Sequence, residues 1–89
     1  MPSQVVAVAS KVGLHARPAT ILVKVAAAAG LPVTIGRPGE KAVNAASLLA
    51  VLSLGIKNGD DIEVIVGEGS NAEAVLDSIV EIISTDHDQ

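Results

Sequence analysis

The sequence contains no cysteine, phenylalanine, tyrosine or tryptophan. Without cysteine there is neither a disulfide framework nor a thiolate metal site. Without aromatic rings the chain lacks the platforms on which single-stranded bases stack, so nucleic acid is not expected as a partner. No metal-ligand spacing and no Walker-type nucleotide loop occur, and nothing calls for a bound cofactor. The apolar stretches are interrupted well short of the roughly 20 residues that a membrane span needs, so direct membrane insertion is not expected. Residues 1–10 lack the basic start and apolar run of a secretion signal. A reducing cytoplasm is the expected home.

What remains is rich in small and branched aliphatics. The 89 residues suffice for one domain, expected to span 1–89. A domain this small buries a modest fraction of its surface. A hydrophobic content of 49%, mostly Ala, Val, Leu and Ile, compensates. The net charge of −4 is unevenly spread. Lys11, Arg17, Lys24, Arg37, Lys41 and Lys57 all lie in residues 1–57, where Glu40 is the only acid. Residues 58–89 hold nine acids and no base, so the two parts carry +5 and −9. This is either ordinary surface solubility or the mark of a face, built from the first part, that docks acidic partners.

The hydrophobic pattern divides the chain into seven elements. Residues 5–9 read as a short, largely buried strand, and 10–13 as a connection. From Ala16 or Pro18 to Ala29 the pattern is helical: Leu22, Ala26 and Ala29 share a stripe, with Ile21, Val25 and Ala28 beside it and Thr20, Lys24 and Ala27 on the least apolar face. Gly30 is a natural stop. Val33 and Ile35 alternate as a strand. Pro38 and Gly39 fit the two corners of a type II turn over 37–40, and 41–43 form the returning strand. Ser47 caps a short helix through Leu54, ended by Gly55. A turn over 57–60 leads to a strand marked by Ile62, Val64 and Val66. Ser70 and Glu73 have the spacing of a capping box. Val75, Leu76, Ile79, Ile82 and Ile83 then form one apolar helical face opposite Glu73, Asp77 and Glu81. The tail from Ser84 onward reads as frayed. The predicted fold is α+β, an open-faced sandwich of order βαββαβα, with a mainly antiparallel four-stranded sheet covered on one face by three helices.

The chemistry concentrates in residues 13–23, GLHARPATILV. Pro18 suits a first helical turn and biases Arg17 away from helical geometry, which places His15 at the mouth of the helix. Helix starts expose unpaired amides and partial positive charge, and so bind phosphate. Arg17 adds a permanently charged fork matched to phosphate oxygens. An imidazole titrates near pH 6.5 when unperturbed, and positive neighbours favour its neutral, nucleophilic form. Together these parts make a nucleophile with an anion clamp around the group that it would carry. No serine–histidine pair or carboxylate partner completes an enzyme, and His87 lies in the tail. The bland alternative is a surface or capping histidine.

The stretch GLHARPA followed by ILV, and SLLAVLSLGIKNGD at 47–60, resemble the histidine-containing phosphocarrier (HPr) family of the bacterial phosphoenolpyruvate-dependent sugar phosphotransferase system. The similarity spans essentially the whole chain. It implies a phosphoryl carrier rather than a self-sufficient enzyme. His15 would accept phosphoryl on Nδ1 from phosphorylated enzyme I and hand it to a sugar-specific enzyme IIA. Arg17 would assist, and the amides of Ala16 and Arg17 would hold the phosphate. Ser47 matches the family's regulatory serine, the target in some bacteria of a kinase whose product engages transcription regulators. Its bland role is the helix cap.

The helix after Ser47 is greasy on nearly every side, so some of Leu48, Leu49 and Leu52 must face solvent. We read them as a partner-docking patch bordered by Thr20 and Lys24. Where the family often carries a further lysine, this chain has Ala27, which shifts weight to apolar contacts. Such contacts are expected to be transient and the carrier monomeric. Two other functions compete. A non-transferring regulatory interaction domain of the same fold would not need His15 and Arg17. A ferredoxin-like domain for RNA or metal would call for aromatics or cysteines.

Overall fold

The computed structural model describes residues 2–9 and 16–85. The elements are β1 (Ser3–Ala7), α1 (Ala16–Ala28), β2 (Val33–Gly36), β3 (Val43–Asn44), α2 (Leu48–Ser53), β4 (Asp61–Val66) and α3 (Ala72–Ser84). This is the βαββαβα order that the sequence predicts. The strands form one sheet in the order β1-β4-β2-β3, antiparallel at every pairing. Chain order and sheet order differ because β4 inserts between β1 and β2.

One face of the sheet is apolar and carries the helices. Ile62, Val64 and Val66 of β4 are fully buried, as is Ile35 of β2, and Val33 is nearly so. Strand side chains alternate between faces, so Glu63 and Ile65 point the other way. Against the apolar face lie Leu22 and Ala26 of α1, Val51 of α2, and Leu76, Ile79 and Ile83 of α3. Burial of each large aliphatic chain contributes about 1.5–3 kcal/mol. With no aromatic available, interlocking branched side chains fill the core. α3 rests on β1 and β4, and α1 packs against both α2 and α3.

The turns follow their glycines. Gly30 ends α1 with φ +72°, and Gly39 has φ +80° in the turn after β2, where the Glu40 N–H donates to the Arg37 carbonyl at 3.0 Å. Gly67 has a different reason to be glycine. A Cβ there would lie 2.7 Å from Cγ of Pro32.

Several boundaries differ from the sequence reading. β1 starts and ends two residues earlier than expected and is mostly exposed, with Val5 at 50%. It is an edge strand, and Val5 pairs with Glu63 on the uncovered face. Val8, beyond the strand, is the buried residue of that stretch. The returning strand β3 is Val43–Asn44 rather than 41–43. The backbone at Lys41 and Ala42 passes so close to Gly36 that a Cβ there would sit 3.0 Å from Cα of Ala42.

Arg17 is helical despite the bias from Pro18, and Pro18 is tolerated at the third helical position because no intrahelical N–H bond is required there. The capping box does not form. Asn71, not Ser70, precedes the first helical residue of α3, and its side-chain amide donates across to the Ala29 carbonyl at 3.3 Å. Ser84 is helical rather than frayed, and the Thr85 hydroxyl donates to the Glu81 carbonyl at 2.7 Å. Ile82 is only partly buried at the margin of the α3 face. The expected 10–13 connection, Lys11, His15 and His87 lie outside the described residues.

Candidate functional site

α1 begins at Ala16, the residue that follows His15 in the chain. The first turn of an α-helix leaves its amides without intrahelical acceptors. Here Ala16 and Arg17 supply such amides, while Pro18 has none to leave unpaired. No acidic side chain occupies that turn to offset the positive end of the helix dipole. Pro18 and Ala19 are buried, which anchors the turn, while Arg17 is exposed. One turn and two turns on, Thr20 is half-buried and Lys24 exposed. Both cations of α1 therefore reach solvent from a surface that carries no carboxylate of its own.

α2 is unusual in what it leaves outside. Of its six residues only Val51 is buried. Leu49 is 81% exposed, Leu48 39% and Leu52 37%. A single turn and a half of helix cannot bury all its sides against one neighbour, and Val51 is the position turned to the core. α2 thus leaves three large apolar side chains in water on one short, anchored helix.

The anchoring is visible at both ends. At the start, Ser47 is extended (φ −107°, ψ 111°) and its Oγ accepts from the Ala50 N–H at 3.3 Å, as an N-cap does. Asn44 braces the approach: its Oδ1 accepts from the Ala46 N–H at 2.9 Å, and its carbonyl accepts from the Ser47 N–H at 3.1 Å. At the end, Gly55 turns away with φ +62°. The Arg37 guanidinium closes it, donating from Nη1 to the Leu54 carbonyl at 2.6 Å and from Nη2 to the Gly55 carbonyl at 3.2 Å. The same Nη2 meets Asp60 Oδ2 at 3.4 Å. A cation at a helix C-terminus is favourable to the dipole and satisfies otherwise orphaned carbonyls.

The sequence reading locates the leucines, the cap and the cations of α1. It misses Arg37, which reads only as a turn flank, and Asn58, which reads only as part of a turn. Their contacts join positions 17 to 50 residues apart, and pattern along the chain carries no trace of such pairs. Exposed Glu73, Asp77 and Glu81 line the outside of α3, whereas Arg17 and Lys24 stand on α1. Among the described residues, no group of His, Asp and Glu is placed to hold a metal ion, and no helix is long and apolar enough to cross a membrane.

Comparison with known proteins agrees with this geometry. The family model described as the PTS HPr component phosphorylation site matches residues 2–85. A phosphocarrier protein HPr of Streptomyces coelicolor is 47% identical over 72 residues, covering 81% of this chain and 76% of that one. One from Haloferax volcanii is 45% identical over 74 residues, covering 82% of each. The crystal structure of HPr from Thermoanaerobacter tengcongensis superposes with a TM-score of 0.84 at 30% identity, covering 93% of this chain and 91% of that one.

Proposed function

Because this chain belongs to the HPr family of phosphocarriers of the phosphotransferase system, which are phosphorylated on a histidine, we propose that His15 is the residue that carries the phosphoryl group here. The match over residues 2–85 carries this reading, since it includes His15 and excludes His87. A phosphocarrier of this kind is not a catalyst by itself: it is one substrate of the enzyme that loads it and another of the enzyme that unloads it.

In the loading step a lone pair on the neutral His15 ring attacks phosphorus. A P–N bond forms at His15 as the bond between phosphorus and its donor breaks, and the donor keeps that electron pair. The family's choice of ring nitrogen is Nδ1. The arriving phosphoryl brings negative charge to the start of α1. There the Arg17 guanidinium and the Ala16 and Arg17 amides stabilise it, and the absence of an acid in that turn avoids repulsion. Transfer onward reverses the same displacement. The helix must not hold phosphate too tightly, since stabilisation of the loaded state slows its discharge.

The family implies enzyme I as donor and enzyme IIA as acceptor. Leu48, Leu49 and Leu52, bordered by Thr20 and Lys24, form the docking surface for both. One surface suffices because loading and unloading use the same ring. Phosphorylation of Ser47 by a serine kinase regulates this traffic. It adds roughly 1.5–2 negative charges at the start of the docking helix, where the dipole accepts them but acidic partners do not. Transcription regulators that recognise the phosphoserine form use the same helix. The carrier works in the cytoplasm as a monomeric single domain over 1–89.

Incubation with enzyme I and labelled phosphoenolpyruvate tests the assignment. One acid-labile, base-stable adduct is expected, absent from His15→Ala and slowed in Arg17→Ala. Uptake at the normal rate by His15→Ala would refute the site. For docking, Leu48→Glu should weaken enzyme I binding in a folded protein; loss of the fold would mean that Leu48 belongs to the core.

A further inference from the structure

We propose that Asn58 is a positioning residue for the phosphoacceptor segment, holding the backbone through which β1 leads toward His15. This rests on the assignment of His15 as carrier. The Asn58 side-chain amide donates to two consecutive carbonyls, those of Val8 and Ala9, at 3.3 Å each. One amide nitrogen has two N–H groups, which suits this fork. Val8 and Ala9 are the last described residues before 10–15, and Ala16 opens α1 on the other side.

The neighbouring bonds give Asn58 a specific task. β1 ends at Ala7, yet the pairing continues: the Val8 N–H donates to the Asp60 carbonyl at 3.0 Å, and the Gly59 N–H donates to the Val8 carbonyl at 3.0 Å. The Ala9 N–H donates to the Ile83 carbonyl of α3 at 3.2 Å. The Ala9 carbonyl lies past the end of the β1–β4 ladder, and the Asn58 side chain supplies it with a donor. Asn58 therefore extends the grip of the sheet one peptide further toward His15.

The turn that presents Asn58 is itself closed by hydrogen bonds. The Asp60 N–H donates to the Lys57 carbonyl at 3.0 Å, and Asp60 Oδ2 accepts from the Lys57 N–H at 2.9 Å. Gly59 takes the positive φ of +84° that the turn requires. Asp60 is also tied to Arg37, and Arg37 to the carbonyls of Leu54 and Gly55 that follow α2. The α2 docking helix and the approach to His15 are thus fixed to one turn. Asn58 stands outside the proposed docking set, so its loss acts on the transfer step rather than on partner affinity.

The test compares wild type, Asn58→Ala and Asn58→Asp as substrates of enzyme I, with kcat and KM for uptake measured well below the melting temperatures. Asn58→Asp keeps the shape, removes both donors and sets a carboxylate against two carbonyls. It tests the bonds even if the alanine variant does not fold. The expected outcome is a kcat lower by about fivefold for Asn58→Ala and lower still for Asn58→Asp, with KM unchanged. That loss is well short of the roughly hundredfold that a 1 Å misplacement costs. Variants with wild-type kcat overturn the inference, even if they melt earlier. So does a raised KM at constant kcat, which would make Asn58 a docking contact. If the wild-type protein takes up no phosphoryl, or takes it up at another residue, the His15 assignment fails instead.

Discussion

Replacing Arg37 by methionine keeps most of its aliphatic stem and removes the guanidinium that closes α2. Three interactions disappear: the 2.6 Å bond to the Leu54 carbonyl, the 3.2 Å bond to the Gly55 carbonyl and the 3.4 Å contact with Asp60. A hydrogen bond from a charged donor contributes about 1.5–3 kcal/mol when shielded. The side chains of Arg37 and Asp60 are 35% and 36% exposed, so solvent screening puts the sum toward the lower end and the ion pair itself under about 1 kcal/mol. The expected loss is about 2 kcal/mol, equivalent to roughly 8–16 °C in Tm for a domain of this size. Thermal and urea unfolding of the two proteins measure it. Asp60→Asn separates the contributions, because it keeps an acceptor for the Lys57 N–H while removing the charge. It should cost about 0.5 kcal/mol, and 1 M salt should abolish only that part. A loss below about 0.5 kcal/mol for Arg37→Met, or equal losses for the two variants, would refute the helix-closing role.

Other substitutions test other levels of the structure. Ser47→Ala removes the cap of α2 and should cost about 1 kcal/mol by urea unfolding, while Ser47→Asp, which can still accept from the Ala50 N–H, should cost less. Leu49→Glu lies on a side chain 81% exposed and should leave stability within about 0.5 kcal/mol while weakening enzyme I binding in a titration. Equal affinity would remove Leu49 from the docking surface. Ile79→Ala empties a fully buried site and should cost about 2–5 kcal/mol. Gly67→Ala forces a Cβ against the Pro32 ring and should cost about 1–3 kcal/mol; an unchanged melting curve would mean that residue 32 moves aside freely.

Much of this fold is legible along the chain because its elements are amphipathic and its turns carry glycine. Ile62, Val64 and Val66 alternate, and the structure buries all three. Val75, Leu76, Ile79 and Ile83 repeat at helical spacing and are buried likewise. The excess of leucine in α2 correctly signals exposure, since six residues cannot bury so many chains. β1 misleads because a run of Val and Ala looks the same in a central strand as in an edge strand with one bare face. Ser70 and Glu73 have the spacing of a capping box, but Asn71 takes the position before the helix and bonds to the end of α1. The Arg37–Asp60 and Asn58–Ala9 contacts depend on which turns meet in space, a property of topology rather than of local pattern. The role proposed for His15 rests on motif and resemblance, the GLHARPA stretch that runs into α1.

Histidine labelled with 15N offers the most direct measurement. After loading by enzyme I and phosphoenolpyruvate, the ring nitrogens of His15 and His87 can be followed separately by NMR, with phosphorus coupling marking the bonded atom. One phosphoryl per chain is expected, on His15, with His87 unchanged and the label discharged on addition of enzyme IIA. Phosphorus on His87, or a His15 ring that stays unmodified while the chain takes up label, would contradict the assignment.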